Sequence, residues 1–163
     1  MLPLGLGCAA IVIVLDQLSK WVILTVVMNP PLIVEVTKFF NLVLVGNRGV
    51  SFGLFASDAG WVQPAFAGFA TFVAISLAVW MRCAANRFLA LSLGMIIGGA
   101  LGNAIDRLWH GAVVDFLDFH VAGYHWPAFN VADSAITIEP IELFNTPSEV
   151  LNSTNGTCLY AAA

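Results

Sequence analysis

Apolar residues are concentrated in four segments of the chain, and polar residues cluster near the ends of those segments. A helix needs about 20 predominantly apolar residues to cross a membrane. Three segments reach that length, at about 4–28, 61–81 and 88–108, and a weaker fourth segment covers about 127–145. The pattern predicts an all-α integral membrane protein with four transmembrane helices.

The segment between the first two spans, about 30–56, has a different pattern. Leu32–Val45 is β-branched, aromatic and partly alternating, which predicts two short strands. Gly46–Gly53 follows with residues typical of turns. We expect a small extracytoplasmic β-element on the membrane surface, within a single membrane domain that comprises residues 1–163.

Composition supports the membrane assignment and narrows the function. The chain is 60% hydrophobic and 10% charged, whereas soluble domains contain about 25% charged residues. The net charge of -4 is spread without a basic patch, so no nucleic-acid partner is expected. Three distant cysteines and the lack of an HExxH motif give no metal-ligand spacing, so neither a metal nor a cofactor is expected. The sequence does not define the oligomeric state, and we expect a monomer.

Basic residues suggest an orientation. The short link between the second and third spans contains two arginines and no acid, Arg82 and Arg87. Positive charge favours the cytoplasmic side, so the N-terminus would lie inside and residues 29–60 and 109–126 outside. Lys38 and Arg48, in the first outer segment, argue mildly for the opposite orientation.

Polar residues within the spans share helix faces. They form three groups, each within about one helical turn: Asp16 with Lys20; Asn103 with Asp106 and Arg107; and Asn130 with Asp133. In the predicted orientation all three groups lie toward the outer surface, with the first group somewhat deeper. Asp115, in the outer link between the third and fourth spans, would lie at the same level.

These residues allow a structural and a functional interpretation. Asp16 with Lys20, or Asp106 with Arg107, could be neutralised pairs that hold helices together, and single asparagines often cap or pack helices. Asp115 and Asp133 differ because neither has a basic partner one turn away in sequence. An intramembrane carboxylate without a counter-ion costs about 3 kcal/mol and is a candidate functional group.

Two facing carboxylates could hydrolyse a peptide bond, because one retains a proton while the other activates water. Serine or cysteine catalysis fits poorly, since the three histidines lie in the outer link without a recognisable nucleophile motif: His110, His120 and His125. A proton or ion relay in a small transporter is an alternative, although such proteins tend to contain inverted repeats. A non-enzymatic assembly factor is a third alternative, and it would give the two aspartates no task.

Five motifs occur in an order that resembles the lipoprotein signal peptidases (signal peptidase II): "DQLSK" (16–20), "NRGVSFG" (47–53), "GGALGNAIDR" (98–107), "GAVVDF" (111–116) and "FNVADSAI" (129–136). The resemblance covers about residues 10–138. It implies an aspartic endopeptidase of the bacterial inner membrane with its active site toward the periplasmic face. Such enzymes remove the signal peptide from diacylglyceryl-modified prolipoproteins by cutting just before the lipidated cysteine. The implied partners are therefore a lipidated prolipoprotein and membrane lipid.

The resemblance also implies roles for individual residues. The family's catalytic aspartates fall on Asp115 and Asp133, which would activate water as a dyad. Its substrate-binding and supporting positions fall on Asp16, Lys20, Asn47, Asn103, Asp106, Arg107 and Asn130.

The resemblance fails near the C-terminus. After Ile138 the chain continues with acidic residues and prolines where the family has an apolar helix. Pro140 lacks a backbone donor, so we expect the fourth helix to stop or kink there. The fourth span is therefore atypical, and residues 139–163 form a divergent tail.

Overall fold

The computed structural model describes residues 1–49, 59–84 and 86–145, with the backbone alone described for 139–145. Four α-helices and four strands follow one another in this order: α1 (Leu2–Val22), continued by a π-helical turn (Ile23–Val27), β1 (Val34–Thr37), β2 (Phe40–Asn47), α2 (Val62–Met81), α3 (Arg87–His110), β3 (Val113–Val121), β4 (Tyr124–His125) and α4 (Val131–Asn145).

Three of the described helices are long and apolar enough to cross a membrane: Leu2–Val27, Val62–Met81 and Arg87–His110. Their positions agree with the first three predicted spans. The fourth helix has 15 residues, which corresponds to about 22 Å, less than the roughly 30 Å of a bilayer's hydrocarbon core. The described residues therefore contain four helices, but only three of these helices are long enough to span the membrane.

α3 is the central helix and packs against α1, α2 and α4. Its glycines allow the neighbouring backbones to approach closely. A Cβ added at Gly98 would lie 2.7 Å from the carbonyl oxygen of Ala9, and one at Gly99 would lie 2.5 Å from that of Ala132. Small residues often occupy helix contacts in membranes because lipid provides no hydrophobic force that drives helices together. These glycines thus fix α1 and α4 on two faces of α3.

The strands form one antiparallel sheet in the order β1-β2-β3-β4. β1 and β2 confirm the two strands that were predicted within Leu32–Val45. Residues 109–126, for which no strand was predicted, contain β3 and β4, and these two strands form a hairpin. Gly111, at φ +70°, ends α3 in the left-handed conformation and turns the chain into β3.

The sequence predicted that the fourth helix would stop or kink at Pro140. α4 continues past Pro140 to Asn145, so the helix does not stop there. Residues 146–163, which make up most of the predicted divergent tail, lie outside the described residues. The same is true of residues 50–53, the second half of the "NRGVSFG" motif.

Candidate active site

Asp115 lies in β3 and is 2% exposed. Its strand is held at both sides, because Val45 of β2 pairs with Asp115 and Phe129 forms an isolated antiparallel bridge with Leu117. Asp106 of α3 accepts a hydrogen bond from the Val114 amide at 3.1 Å. Asp115 was predicted in the outer link between the third and fourth spans, and the structure places it on a strand whose backbone is held on both sides.

Asp133 lies in the first turn of α4. The Asn130 side-chain oxygen accepts from the Asp133 amide at 2.9 Å, and Asp133 accepts from the Asn130 amide at 3.3 Å. These reciprocal bonds resemble a capping box, in which side chains satisfy the free N–H groups at a helix start. Because Phe129 pairs with β3, the start of α4 is brought beside Asp115.

Three asparagines connect the two aspartates. Asp115 accepts hydrogen bonds from the side-chain amides of Asn130, at 2.7 Å, and Asn47, at 3.1 Å. Asp133 accepts from the Asn103 side chain at 2.7 Å. Asn103 also accepts from Asn130, at 3.2 Å. Both carboxylates are thus held by donors from three places: β2, α3 and Asn130, the residue that caps α4.

An ion trio lies behind these asparagines. The Lys20 ammonium is 2.7 Å from an oxygen of Asp16 and 2.7 Å from an oxygen of Asp106, and all three residues are at most 2% exposed. Asp106 thus pairs with Lys20 of α1, and the predicted alternative of a local pair with Arg107 is not what the structure contains. Lys20 also donates to Asn103 at 3.2 Å, which joins the trio to the site.

The trio also fixes the backbone that carries both aspartates. Asp106 accepts from Val114, one residue before Asp115, and Asp16 accepts from the Ala132 amide at 2.9 Å, one residue before Asp133. A carboxylate beside the first amides of a helix is stabilised by their unpaired N–H groups and by the helix dipole. The structural and functional interpretations of these charges therefore do not exclude each other.

Arg107 bridges α3 to the segment after β2. Its guanidinium donates to the carbonyl of Asn103 at 3.3 Å and to that of Gly49 at 3.0 Å, and it lies 5.6 Å from the centre of the Phe66 ring. Among the described residues its buried Nε has no hydrogen-bond partner. The planar fork of arginine suits such a site, because separate donors can reach two acceptors while the flat face stacks on a ring.

Asp115 and Asp133 both line a cavity of about 680 Å³. Its other polar lining residues are Asn47, Asn103, Arg107, Ser134 and Thr137. Its apolar wall comes from β3, from the segment before α4 and from α4 itself: Val113, Trp126, Pro127, Ala128, Phe129, Ile136 and Ile138. A largely apolar cavity with a few converging polar groups is typical of a ligand or active site.

The Asp115 carboxyl is a weak acid in this setting. Burial, followed by the nearby charge of Asp133, raises its pKa to about 7, against the lowering effect of hydrogen bonds from Asn47 and Asn130. Near neutral pH the pair can therefore hold one proton, which is the state that general acid–base chemistry on a water molecule requires.

All nine predicted site residues converge at one end of the helices. Sequence reasoning missed Gln17, whose amide donates to Asp106 at 2.9 Å, to Asp16 at 3.2 Å and to the Gly102 carbonyl at 3.3 Å. Its position beside Asp16 within an apolar segment was the available signal. Sequence reasoning also missed the approach of His120 and His125 to Asp118, since these histidines had been assigned to the outer link without a predicted partner.

Comparisons with known proteins agree with the resemblance. Residues 8–144 match the family described as signal peptidase (SPase) II. A lipoprotein signal peptidase from Burkholderia thailandensis is 46% identical over 139 residues, which cover 85% of this chain and 83% of the relative. A bacterial membrane enzyme solved by the in meso method at 2.3 Å superposes with a TM-score of 0.76 at 29% identity, covering 94% of this chain and 91% of that one. A second such enzyme, solved at 1.9 Å, gives 0.71 at 32% identity, with 86% and 90% covered. The chain belongs to the signal peptidase II family.

Proposed function

We propose that this protein is an aspartic endopeptidase that removes the signal peptide from diacylglyceryl-modified prolipoproteins, cutting just before the lipidated cysteine. Family membership supports the substrate class, since the relatives are named lipoprotein signal peptidases. The observation that carries the mechanism is the placement of Asp115 and Asp133 in one cavity, where Asn130 hydrogen-bonds to both. Among the described residues, no basic side chain is hydrogen-bonded to either aspartate.

In the proposed mechanism the pair begins with one shared proton. The ionised carboxylate takes a proton from a water molecule, whose oxygen attacks the scissile carbonyl, while the protonated partner donates a hydrogen bond to the carbonyl oxygen. The resulting tetrahedral intermediate collapses when the leaving nitrogen accepts a proton from the dyad. The C–N bond breaks, one water is consumed, and the pair returns to its singly protonated state.

Access from the bilayer is consistent with the surface around the site. α1 and α2 expose large apolar side chains that suit contact with lipid, among them Ile11, Leu15, Phe69 and Phe72. Three tryptophans are exposed near the helix ends that adjoin the sheet segments, Trp21, Trp61 and Trp109. Tryptophan favours the membrane–water interface. A lipid-anchored substrate could therefore reach the cavity by lateral movement at this level.

The same reasoning extends to topology. We place the sheet and the active site on the periplasmic side of the inner membrane, with Arg82 and Arg87 on the cytoplasmic side. The protein would act as a single monomeric membrane domain. α4 would enter the bilayer from the outer side as a fourth, atypical membrane helix whose capped N-terminus holds Asp133.

The direct test is cleavage of a purified lipidated prolipoprotein by the purified enzyme and by Asp115→Asn and Asp133→Asn variants. Each change should lower turnover at least several hundred-fold, about 4 kcal/mol in barrier, because an amide cannot exchange the required proton. Glu35→Gln removes an exposed carboxylate from the same sheet and should leave turnover unchanged. Near-normal turnover by either aspartate variant would exclude the dyad.

A further inference from the structure

A second cluster of ligating side chains lies away from the aspartate pair. Asp118 and His120 of β3 and His125 of β4 place one ligand atom each within 4.8 Å of one another. Asp118 and His120 lie three and five residues after Asp115 in β3. Successive side chains of a strand point to opposite faces, so along a regular strand both lie on the face opposite Asp115. The cluster is therefore separate from the proposed catalytic centre.

The hairpin geometry brings the cluster together. His120 is paired with His125 across β3 and β4, and their rings stack with centres 4.8 Å apart. The connecting residues, Ala122 and Gly123, both have positive φ, at 52° and 84°, which is typical of the two-residue turns that join antiparallel strands. The hairpin thus brings two imidazoles and one carboxylate together on paired strands.

Distances within the cluster suit a small metal ion. His125 Nδ1 is 2.9 Å from both Asp118 oxygens, and His120 Nδ1 is 4.0 Å from Asp118 Oδ2. In a tetrahedral zinc site with bonds near 2.0 Å, neighbouring ligand atoms are about 3.3 Å apart. The observed separations lie on either side of that value, so small side-chain rotations would bring the three ligands to coordination distance.

Two buried polar atoms at this place have no hydrogen-bond partner among the described residues. One is Nδ1 of His120, and the other is Oδ1 of Asn41, a residue that is 8% exposed and donates through Nδ2 to Asp118 at 3.2 Å. A buried polar atom without a partner costs about 1–3 kcal/mol. A bound cation would accept lone pairs from both atoms, whereas a hydrogen-bonded cluster without a cation leaves both unsatisfied.

We propose that Asp118, His120 and His125 bind one divalent transition-metal ion, with Asn41 Oδ1 or water in the fourth position. Two imidazoles and a carboxylate form a donor set that suits Zn²⁺. The ion would tie β4 to β3 directly before Trp126, which lines both a cavity of about 660 Å³ beside Asp118 and the catalytic cavity. Its role is therefore structural: it fixes one wall of the active site and takes no part in hydrolysis.

The test is a metal titration of the full-length protein in detergent, after removal of any histidine tag and treatment with a chelator. ZnCl₂ should bind saturably at one ion per chain and raise the thermal unfolding temperature. CoCl₂ should bind at the same place and give the visible absorption of a low-coordinate Co²⁺ site. His120→Ala and His125→Ala, at half-buried and exposed positions, should each weaken zinc binding at least tenfold.

The matched control is His110→Ala, which removes an exposed histidine at the end of α3, outside the cluster. It should retain the affinity and the stoichiometry of the unaltered protein. If the unaltered protein binds no zinc saturably, or if His120→Ala and His125→Ala bind it as tightly as His110→Ala, the cluster is only a hydrogen-bonded Asp–His group and the proposal is wrong.

Discussion

Asn47→Ala provides a test of the shared proton that does not depend on abolishing activity. Asn47 donates to Asp115 Oδ2 at 3.1 Å, and this bond stabilises the ionised carboxylate. A hydrogen bond to a charged group contributes about 1.5–3 kcal/mol. Water from the cavity would replace part of that stabilisation, so we expect a net loss of about 1.4 kcal/mol, equivalent to about one pKa unit.

The sign of the effect follows from which form is active. In the proposed mechanism the pair needs one proton, and the pKa of Asp115 is about 7. We therefore expect kcat/KM to fall as the pH rises through about 7 and Asp115 loses its proton. Removing Asn47 disfavours ionisation, raises the pKa and moves the alkaline limb of the profile upward by about one pH unit. The maximum rate will also change, because Asn47 accepts from the Gly49 amide, but the position of the limb is independent of that loss.

The assay is cleavage of a lipidated prolipoprotein by purified enzyme, with kcat/KM measured from about pH 5 to pH 9. Asn86→Ala is a matched control, because it removes an asparagine side chain at the opposite end of α3, where Asn86 caps the helix. Its profile should keep the original limb. A limb that stays fixed or moves to lower pH in Asn47→Ala would refute the reasoning.

Three further variants test the supporting contacts. Arg107→Lys should lower prolipoprotein turnover, though less than Asp115→Asn, because one ammonium cannot reach the Asn103 and Gly49 carbonyls while stacking on Phe66; full activity would reduce Arg107 to a counter-charge. Lys20→Met should destabilise the protein by about 3–5 kcal/mol in thermal unfolding, since it leaves two buried carboxylates without their cation; an unchanged midpoint would contradict this. Gly98→Ala should destabilise the protein by about 1–3 kcal/mol through contact with the Ala9 backbone, whereas Gly68→Ala, with open space around it, should not. Equal thermal unfolding midpoints for the two variants would contradict this expectation and show that α1 can move away from α3.

The sequence predicted features that depend on local pattern. Three spans and the strands within Leu32–Val45 agree with α1–α3 and with β1 and β2, because hydrophobic length and alternation are properties of neighbouring residues. Spacing of three or four residues also identified the polar helix faces correctly. The family resemblance placed all nine candidate residues, which are far apart in sequence, in one site.

Partners between distant segments could not be predicted in the same way. The pairing of Lys20 with Asp106 depends on how α1 crosses α3. The glycines of α3 predict that another helix packs closely there, but not which helix it is. β3 was missed because its buried residues include two aspartates, Asp115 and Asp118, and aspartate is unfavourable in strands. Both aspartates lie in β3 because tertiary contacts outweigh that preference: Asp115 accepts from Asn47 and Asn130, and Asp118 accepts from Asn41.

The charges around the dyad favour retention of its proton. Lys20 is shared by Asp16 and Asp106, so the ion trio keeps one net negative charge. Arg107 adds one positive charge nearby, so the formal charges of these four residues cancel and cannot balance Asp115 and Asp133 if both are ionised. The asparagines cannot supply one, because they are neutral: Asn103 and Asn130 turn their oxygens toward Lys20 and the Asp133 amide and can offer only N–H donors to the carboxylates. Neutral donors hold the aspartates in place without fully stabilising both charges, so a pair buried in this way is poised to keep one proton near neutral pH.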